Sequence, residues 1–287
     1  MIDLHTHSTF SDGSLTPEAL ARKAAEAGLT AAALTDHDCT NGVARFAAAC
    51  AAGGVEGIPG VEISADVKKG TLHVLGYFID AAHAGLEAVL VRIRQGREIR
   101  NREILAKLQR LGLKLEWKDV TAFADEEVVG RLHFAQALAA RGYVTSKEDA
   151  FERYLAKGKP GYADRFRLTA PDGIAAIHSA GGLAVMAHPA TLDAGRKGLR
   201  DSVAQLKEAG LDGIEVYYSE HNPSQTAQYL ALAREFDLAV TGGSDFHGDM
   251  NPAISLGRGF GTLDVPDELA GELRRRWQRR GGQAAGA

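Results

Sequence analysis

Cysteine is scarce in this sequence: Cys39 and Cys50 are the only two among 287 residues. A single disulfide cannot stabilise a chain of this length, which excludes a disulfide-stabilised secreted scaffold. Scarce cysteine is typical of proteins in a reducing compartment. Neither cysteine has a histidine partner in a nucleophile arrangement, so the sequence argues against catalysis through a thiol.

Long apolar runs are also lacking. No run approaches the roughly 18 residues that a membrane-spanning helix requires, and residues 1–5 lack the basic segment and apolar core of a secretory signal. We therefore expect a cytoplasmic protein that does not bind membranes. An excess of positive charge is lacking too, because the net charge is −4, and this excludes general electrostatic binding to duplex DNA.

What the sequence does have is a repeated pattern of short apolar runs. Each run follows a helix-ending signal and stops at a polar residue; the runs lie within residues 28–38, 54–64, 182–189, 210–218 and 237–247. Such runs are typical of strands buried on both faces of a parallel sheet. Amphipathic stretches separate them, and the first has the start signal Thr16-Pro17 and the stop signal Gly28. These repeats predict an α/β protein, either a barrel or a doubly wound sheet.

Polar side chains at the ends of the runs favour the barrel. The residues at or just past the C-terminal end of an apolar run are His5, His7, Asp36, His37, Glu62, His73, His188, Asp245 and His247. A (β/α) barrel gathers functional side chains from many strands on that rim, whereas an open sheet uses mainly its switch point. Convergence from so many strands therefore predicts a barrel.

The middle of the chain, residues 80–168, breaks this pattern with one long helical stretch at 86–111 and shorter ones after it. Residues 80–167 carry 17 basic and 13 acidic side chains, a net charge of +4, which leaves −8 for the remainder. We interpret 80–168 as a helical insertion that caps the substrate, between barrel segments 1–79 and 169–280, with a tail at 281–287. The alternative for its arginine-rich helix is an ordinary solvated face.

Six of the ten histidines lie at the strand ends, and the carboxylates Asp12, Glu62 and Asp245 are near them in the pattern. Burying unpaired carboxylates together costs several kcal/mol, and divalent cations would offset that cost. Residues two apart in a strand point to the same face, so His5 and His7 can both reach one ion. The set predicts a divalent metal site.

The sequence also resembles a known family. The strings IDLHTHSTFSDG, TDHD, PGVEIS, LHVLGY, AHP and GSDFH occur in the order found in the PHP (polymerase and histidinol phosphatase) superfamily. The resemblance covers about residues 1–78 and 170–250. It implies a distorted (β/α)₇ TIM-like barrel, related to the amidohydrolases, with two or three divalent ions. In the insertion, GRLHFAQAL and GKPGY are similar to the TrpH/YciV-like branch of stand-alone phosphoesterases.

The resemblance implies a ligand role for nine residues. It implies one ion among His5, His7, Glu62 and Asp245, a second among Glu62, His73 and His188, and a third among Asp12, His37 and His247. Several relatives have histidine where this chain has Asp12, and a carboxylate there suits Mn²⁺, with Fe²⁺ or Zn²⁺ as alternatives. Asp36 and Glu215 are interpreted as supports, since ligand imidazoles usually donate their second N–H to such a partner.

Three residues of the insertion are candidate substrate contacts. Arg131 and His133 begin a predicted helix after residues 128–130. A helix N-terminus favours anions, and the Arg131 side chain offers a forked donor for phosphate. Lys159 lies in a loop with glycine and proline, where substrate contacts are common. His133 has the alternative interpretation of an ordinary, partly buried histidine.

The resemblance implies a metal-dependent phosphoesterase. Its catalytic groups would be Glu62 and Asp245, which hold the ions around an attacking hydroxide, and His188 or His247, which protonates the leaving oxygen unless a metal-held water does so. The implied substrate is a nucleoside 3′,5′-bisphosphate such as 3′-phosphoadenosine 5′-phosphate (pAp), which loses its 3′-phosphate. Short 5′-phosphorylated RNA, degraded from its 5′ end, is the alternative. Histidinol phosphate is disfavoured by the insertion, and a non-catalytic metal module by the lack of a polymerase-like region after Asp245.

Overall fold

The structure is a computed structural model, and it describes residues 1–67, 69–123, 129–164, 166–192 and 195–282. Residues 283–287 of the predicted tail lie outside the described residues, as does Val128 before the predicted helix at 131. In the described ranges, no helix combines the length and the apolarity that crossing a bilayer requires.

Strands and helices alternate along much of the described part of the chain. The strands are β1 (Ile2–Thr6), β2 (Ala31–Leu34), β3 (Glu56–Asp66), β4 (Leu72–Tyr77), β5 (Leu168–Thr169), β6 (Leu183–Met186), β7 (Gly213–Tyr218) and β8 (Ala239–Gly243). The α-helices are α1 (Pro17–Glu26), α2 (Val43–Ala52), α3 (Ala84–Arg110), α4 (Trp117–Thr121), α5 (Arg131–Ala140), α6 (Lys147–Ala150), α7 (Ala170–Ser179), α8 (Gly195–Glu208), α9 (Pro223–Glu235) and α10 (Glu268–Arg279). A π-helical turn at Phe151–Leu155 follows α6.

The chain divides into two compact units, Met1–Leu90 with Leu168–Ala287, and Val91–Arg167. The predicted insertion at 80–168 overlaps the second unit and begins earlier, since the first residues of α3 belong to the first unit. The second unit is helical and has its own apolar core around Leu108, Phe134 and Leu138. Its predicted role as a substrate cap stays a prediction.

The first unit contains the predicted distorted barrel of seven strands, which is confirmed. Within the described residues, the sheet runs in the order β1-β2-β3-β4-β6-β7-β8 and is nearly closed, with the two-residue β5 paired beside β3. Its distortion comes from β4, which runs antiparallel to both β3 and β6. The short link between β3 and β4 explains this orientation, because a parallel connection needs a crossover of about a dozen residues or more.

The barrel closes where β1 meets β8, through single contacts rather than a continuous ladder. A parallel bridge joins Thr6 to Phe246. Below it, the buried carboxylate of Asp3 accepts hydrogen bonds from Ser244 N at 2.9 Å and from Gly257 N at 2.7 Å. A carboxylate therefore ties the first strand to the last at this seam.

The local sequence explains the helix of the first βα unit. Pro17 is the first residue of α1, and the side chain of Thr16 accepts a hydrogen bond from Ala19 N at 3.3 Å. Both features supply the helix start that the sequence predicts, because proline has no N–H to leave unpaired and a threonine cap satisfies one free donor. The helix buries Leu20, and its end returns the chain to the sheet at β2.

Candidate metal centre

One rim of the barrel collects the predicted ligand residues. His5 lies near the end of β1, His37 and Asp245 follow β2 and β8, and His188 lies two residues after β6. His73 differs from the prediction, because it is the second residue of β4 and does not end an apolar run. It reaches the same rim because β4 is antiparallel, which brings the N-terminal end of β4 beside the C-terminal end of β3.

Glu62 is the centre of the cluster. Its side chain is fully buried on β3, and each of its two oxygens faces a different set of imidazoles. Two imidazoles face Oε1, with His73 Nδ1 at 2.7 Å and His188 Nε2 at 3.0 Å. Three imidazoles face Oε2, with His37 Nδ1 at 2.9 Å and His5 Nε2 and His7 Nε2 each at 3.4 Å. One carboxylate thus faces two sets of imidazole nitrogens, a geometry that suits a group shared by two ions.

Several buried polar atoms of the rim lack hydrogen-bond partners within the described residues. They are His5 Nε2, His7 Nε2, Asp12 Oδ1, His37 Nδ1 and Glu62 Oε2. Leaving such an atom unsatisfied costs about 1–3 kcal/mol. Ligand atoms about 2.1 Å from a common ion lie roughly 3.0–3.4 Å from each other. The separations of His5 Nε2 and His7 Nε2 from Glu62 Oε2, 3.4 Å each, match that range, and that of His37 Nδ1, 2.9 Å, lies just below it. The residues present fit divalent ions.

The potential ligand atoms form three groups, each with its atoms within 4.8 Å of one another. In the part of the chain that the structure describes, the groups are His5, His7 and Asp245; His7, Asp12, His37 and His247; and His37, Glu62 and His73. Together with His188 beside Glu62 Oε1, these groups bring together all nine residues for which the sequence predicts a ligand role. The cluster is able to bind metal.

Asp36 supports the cluster indirectly, whereas we expected it to contact an imidazole. Its Oδ1 accepts hydrogen bonds from Ser8 N and Ser11 Oγ, each at 2.7 Å. Ser11 Oγ also lies 3.4 Å from His7 Nδ1. Because Ser11 donates its only hydroxyl proton to Asp36, its oxygen accepts from His7 Nδ1–H, which leaves His7 Nε2 free to bind a cation.

Two further imidazoles are oriented in the same way. His247 Nδ1 lies 2.8 Å from the backbone oxygen of Asp245, and a carbonyl oxygen can only accept. His188 Nδ1 lies 3.0 Å from Thr191 Oγ1, which itself donates to a backbone carbonyl. In both rings the proton is placed on Nδ1, and Nε2 is presented to the carboxylates of the site.

Tyr218, at the end of β7, contacts the cluster although no motif of the sequence predicts it. Its hydroxyl donates to Asp245 Oδ2 at 2.9 Å. Strict strand alternation would place Tyr217 on the face of Glu215 and Tyr218 on the other. The pairing register of β7 with β8 shifts between Glu215 and Tyr217, and this irregularity upsets the alternation. No signal in the sequence marks the shift.

The charges of the cluster alter the proton affinity of its histidines. Burial opposes the charged form of His37, but Glu62 and Asp12 outweigh burial and raise the pKa of His37 to about 10. His247 is likewise buried, and the Asp12 carboxylate raises the pKa of His247 to about 9. For His7, burial and the neighbouring His247 lower the pKa to about 4. The carboxylates attract positive charge, which a divalent ion or protons can supply.

The predicted substrate contacts lie in the second unit. The Arg131 guanidinium lies 5.6 Å from the centre of the Tyr162 ring and donates to the Leu155 backbone oxygen at 3.4 Å. His133 is buried, and its Nδ1 accepts from Gly130 N at 3.1 Å. This contact caps the start of α5 and matches the alternative, structural interpretation of His133. Lys159 is exposed, and substrate binding by the three residues stays a prediction.

The fold and the rim define a class: an α/β barrel with a His/Asp/Glu cluster able to bind metal at the C-terminal ends of its parallel strands. Comparison with known protein families identifies the family within this class. The model of the PHP domain matches residues 3–171. The chain belongs to the PHP family.

Full-length relatives support this assignment. The chain is 38% identical over 266 residues to a 3′,5′-nucleoside bisphosphate phosphatase from Chromobacterium violaceum, covering 92% of each protein. It is 37% identical over 258 residues to the 5′-3′ exoribonuclease Rnm of Salmonella typhimurium, covering 89% of this chain and 88% of that enzyme. A solved amidohydrolase structure from Chromobacterium violaceum superimposes with a TM-score of 0.81 at 35% identity, covering 97% of this chain and 96% of that one.

Proposed function

We propose that this protein is a metal-dependent phosphoesterase that removes the 3′-phosphate of nucleoside 3′,5′-bisphosphates such as pAp. The observation that carries the proposal is the Glu62-centred cluster, in which five buried nitrogen and oxygen atoms lack hydrogen-bond partners among the described residues. The similarity to the Chromobacterium violaceum phosphatase along nearly the whole chain supports this choice of substrate.

Two or three divalent ions would be held by the three groups of side chains, with Glu62 shared between positions. Bound there, they would lower the pKa of water toward neutrality and offset charge on the phosphoryl oxygens. We favour Mn²⁺ over Fe²⁺ and Zn²⁺, because three carboxylates accompany the imidazoles and carboxylate ligands suit the harder ion.

The chain's own residues orient the reaction. Asp36, through Ser11, and Thr191 fix the rings of His7 and His188, so that Nε2 of each ring faces the reaction site. His247 Nε2 lies 3.1 Å from Asp12 Oδ1, and His188 Nε2 lies 3.0 Å from Glu62 Oε1. A ring whose Nε2 is not taken by an ion would hold a proton there against its carboxylate and pass it to the leaving oxygen of the nucleoside. Where both rings bind ions, a metal-held water would supply that proton instead.

Selection of a substrate with two phosphates is assigned to the second unit. Arg131 would bind the 5′-phosphate with its forked donors, assisted by His133 and Lys159. The excess of basic residues in this part of the chain is consistent with a small anionic partner. Short 5′-phosphorylated RNA is the second candidate, because the chain is nearly as similar to the Salmonella typhimurium exoribonuclease. Both substrates have a 5′-phosphate beside a 3′-phosphoryl ester.

Phosphate release from Mn²⁺-loaded protein, with pAp, 5′-AMP, 3′-AMP and histidinol phosphate assayed in parallel, tests the proposal. We expect release from pAp alone, with 5′-AMP as the second product and no activity in a His5→Ala control. The absence of phosphate release from all four compounds would contradict the bisphosphate assignment. A short 5′-phosphorylated RNA would then be the next substrate to test. If that RNA is not hydrolysed either, the result would favour a non-catalytic metal module. The cytoplasmic location expected from the two cysteines stays part of the proposal.

A further inference from the structure

Strand β7 contributes no member to the three ligand groups found among the described residues. It nevertheless lies between β6 and β8 in the sheet, paired in parallel with both. Those two neighbours lead directly into ligand residues, His188 after β6 and Asp245 after β8. The side chains of β7 are therefore placed to act on ligands from both sides.

Glu215 of β7 contacts two ligand residues at once. It is fully buried, and its Oε1 lies 3.0 Å from His5 Nδ1. Its Oε2 accepts a hydrogen bond from the backbone N–H of His188 at 2.7 Å. One carboxylate thus fixes the ring of a ligand on β1 and the backbone of a ligand after β6.

Tyr218 of β7 holds a third ligand. Its hydroxyl donates to Asp245 Oδ2 at 2.9 Å. The other oxygen, Asp245 Oδ1, lies 3.3 Å from His5 Nε2 and 3.1 Å from His7 Nε2. The hydrogen bond from Tyr218 therefore selects which carboxylate oxygen faces the imidazoles.

Two of the three residues that β7 holds have a strained backbone. His188 has a φ of 24° and Asp245 a φ of 57°, both in the left-handed region that non-glycine residues seldom adopt. Such a conformation costs on the order of 1–3 kcal/mol and persists only when its surroundings enforce it. The Glu215 contact with the His188 backbone N–H contributes to that enforcement, and Asp245 N donates to the backbone oxygen of His5 at 2.9 Å.

We propose that Glu215 and Tyr218 are positioning residues that set the metal affinity of the rim: Glu215 by keeping the proton of His5 on Nδ1, and Tyr218 by orienting Asp245. This inference rests on the metal site of the proposed function. A ring that donates from Nδ1 presents a lone pair at Nε2, the atom of His5 that faces Asp245 and Glu62.

Substitution of Glu215 by glutamine separates this role from simple packing. The amide has nearly the same size, but it offers one acceptor oxygen where two donors, His5 Nδ1–H and His188 N–H, require one each. If the oxygen serves His188, the amide NH₂ faces His5 Nδ1 and drives the ring proton to Nε2, which can then no longer bind a cation. If the amide turns the other way, its NH₂ group faces the backbone N–H of His188. Two donors then face each other, and neither forms a hydrogen bond.

The test is Zn²⁺ binding by the metal-stripped full chain in competition with a chromophoric chelator. We expect Glu215→Gln to weaken Zn²⁺ binding by about 10- to 100-fold, the usual effect of losing a support behind a ligand. Tyr218→Phe, which keeps the ring, should weaken it by several-fold. Glu220→Gln and Tyr217→Phe are matched controls in or next to β7, and they should bind like the wild type.

Urea unfolding of the metal-free proteins shows whether each variant is folded. If Glu215→Gln does not fold, the affinity of Tyr218→Phe alone decides the test. Affinities of both variants equal to those of their controls would overturn the inference. Failure of the wild type to bind Zn²⁺ would overturn the metal site and the inference together. Normal Zn²⁺ binding without phosphoesterase activity would contradict the proposed function and leave the inference standing.

Discussion

Nδ1 of His37 lies 2.9 Å from Oε2 of Glu62, yet neither atom has a hydrogen-bond partner among the described residues. Both atoms are buried and close together, an arrangement that suits two ligands of one ion. Since the other Glu62 oxygen faces His73 and His188, the carboxylate joins the two halves of the cluster.

Substitution of the bridging carboxylate should abolish function without unfolding the barrel. Glu62→Gln removes the negative charge shared by two positions and keeps the side-chain volume. We expect loss of bound metal and a fall in kcat/KM for pAp on the order of 10³-fold or more, because metal stabilisation of the transition state is worth several kcal/mol. Metal content by mass spectrometry and phosphate release measure both effects. Glu208→Gln, an exposed site, is the control, and a Glu62 variant with full metal content contradicts the bridging role.

Metal binding should release protons at neutral pH. The pKa of His37 is raised to about 10 and that of His247 to about 9, chiefly because the carboxylates outweigh the effect of burial. Both rings are therefore protonated at neutral pH in the metal-free protein, and an ion must displace those protons. Apparent affinity should rise as the pH increases toward these values and fall below neutrality. Calorimetric titration in two buffers of different ionisation enthalpy counts the protons, and a count of zero contradicts the prediction.

The seam of the barrel should depend on Asp3. Asp3→Ala leaves Ser244 N and Gly257 N without their acceptor in a buried environment. We expect a loss of about 3 kcal/mol in the free energy of unfolding, since each unsatisfied buried donor costs about 1–3 kcal/mol. Urea denaturation of the metal-free protein measures it. The control is Asp267→Ala, which removes an exposed ion pair with the Met1 amino group and should cost less than about 1 kcal/mol. Equal losses in the two variants would contradict a special role for Asp3.

Arg131 should control substrate affinity and leave metal binding intact. If it binds the 5′-phosphate, Arg131→Ala should raise KM for pAp about 10- to 100-fold, the cost of losing a charge-assisted hydrogen bond. Steady-state kinetics and metal content together check this. Arg153→Ala, at an exposed position of the same unit, is the control. An unchanged KM in the Arg131 variant means that the 5′-phosphate is bound by other residues.

The sequence alone supports most of the barrel. Apolar runs with polar ends predicted the strands, and the cap at Thr16-Pro17 predicted the start of α1, because these signals act within a few residues. The direction of β4 was not predicted, since no local signal reports which way a strand pairs. This is also why His73 was expected at the wrong end of its strand.

In the candidate site, too, the features set by neighbouring residues were predictable from the sequence, and those set by long-range packing were not. His5-x-His7 was readable because alternation places both rings on one face. The link from Asp36 through Ser11 to His7 depends on a turn whose geometry the residue types do not specify. Tyr218 was hidden by the irregular pairing of β7. The residues that would bind metal were thus accessible from the sequence, whereas most of those that hold them in place were not.

Titration of metal-stripped protein with Mn²⁺, with phosphate release from pAp recorded at each addition, tests the central claim most directly. We expect no phosphate release before metal is added and a rise that follows the bound ion to saturation, with 5′-AMP and phosphate as products. Full activity in the stripped protein, or a saturated protein that releases no phosphate, would contradict it.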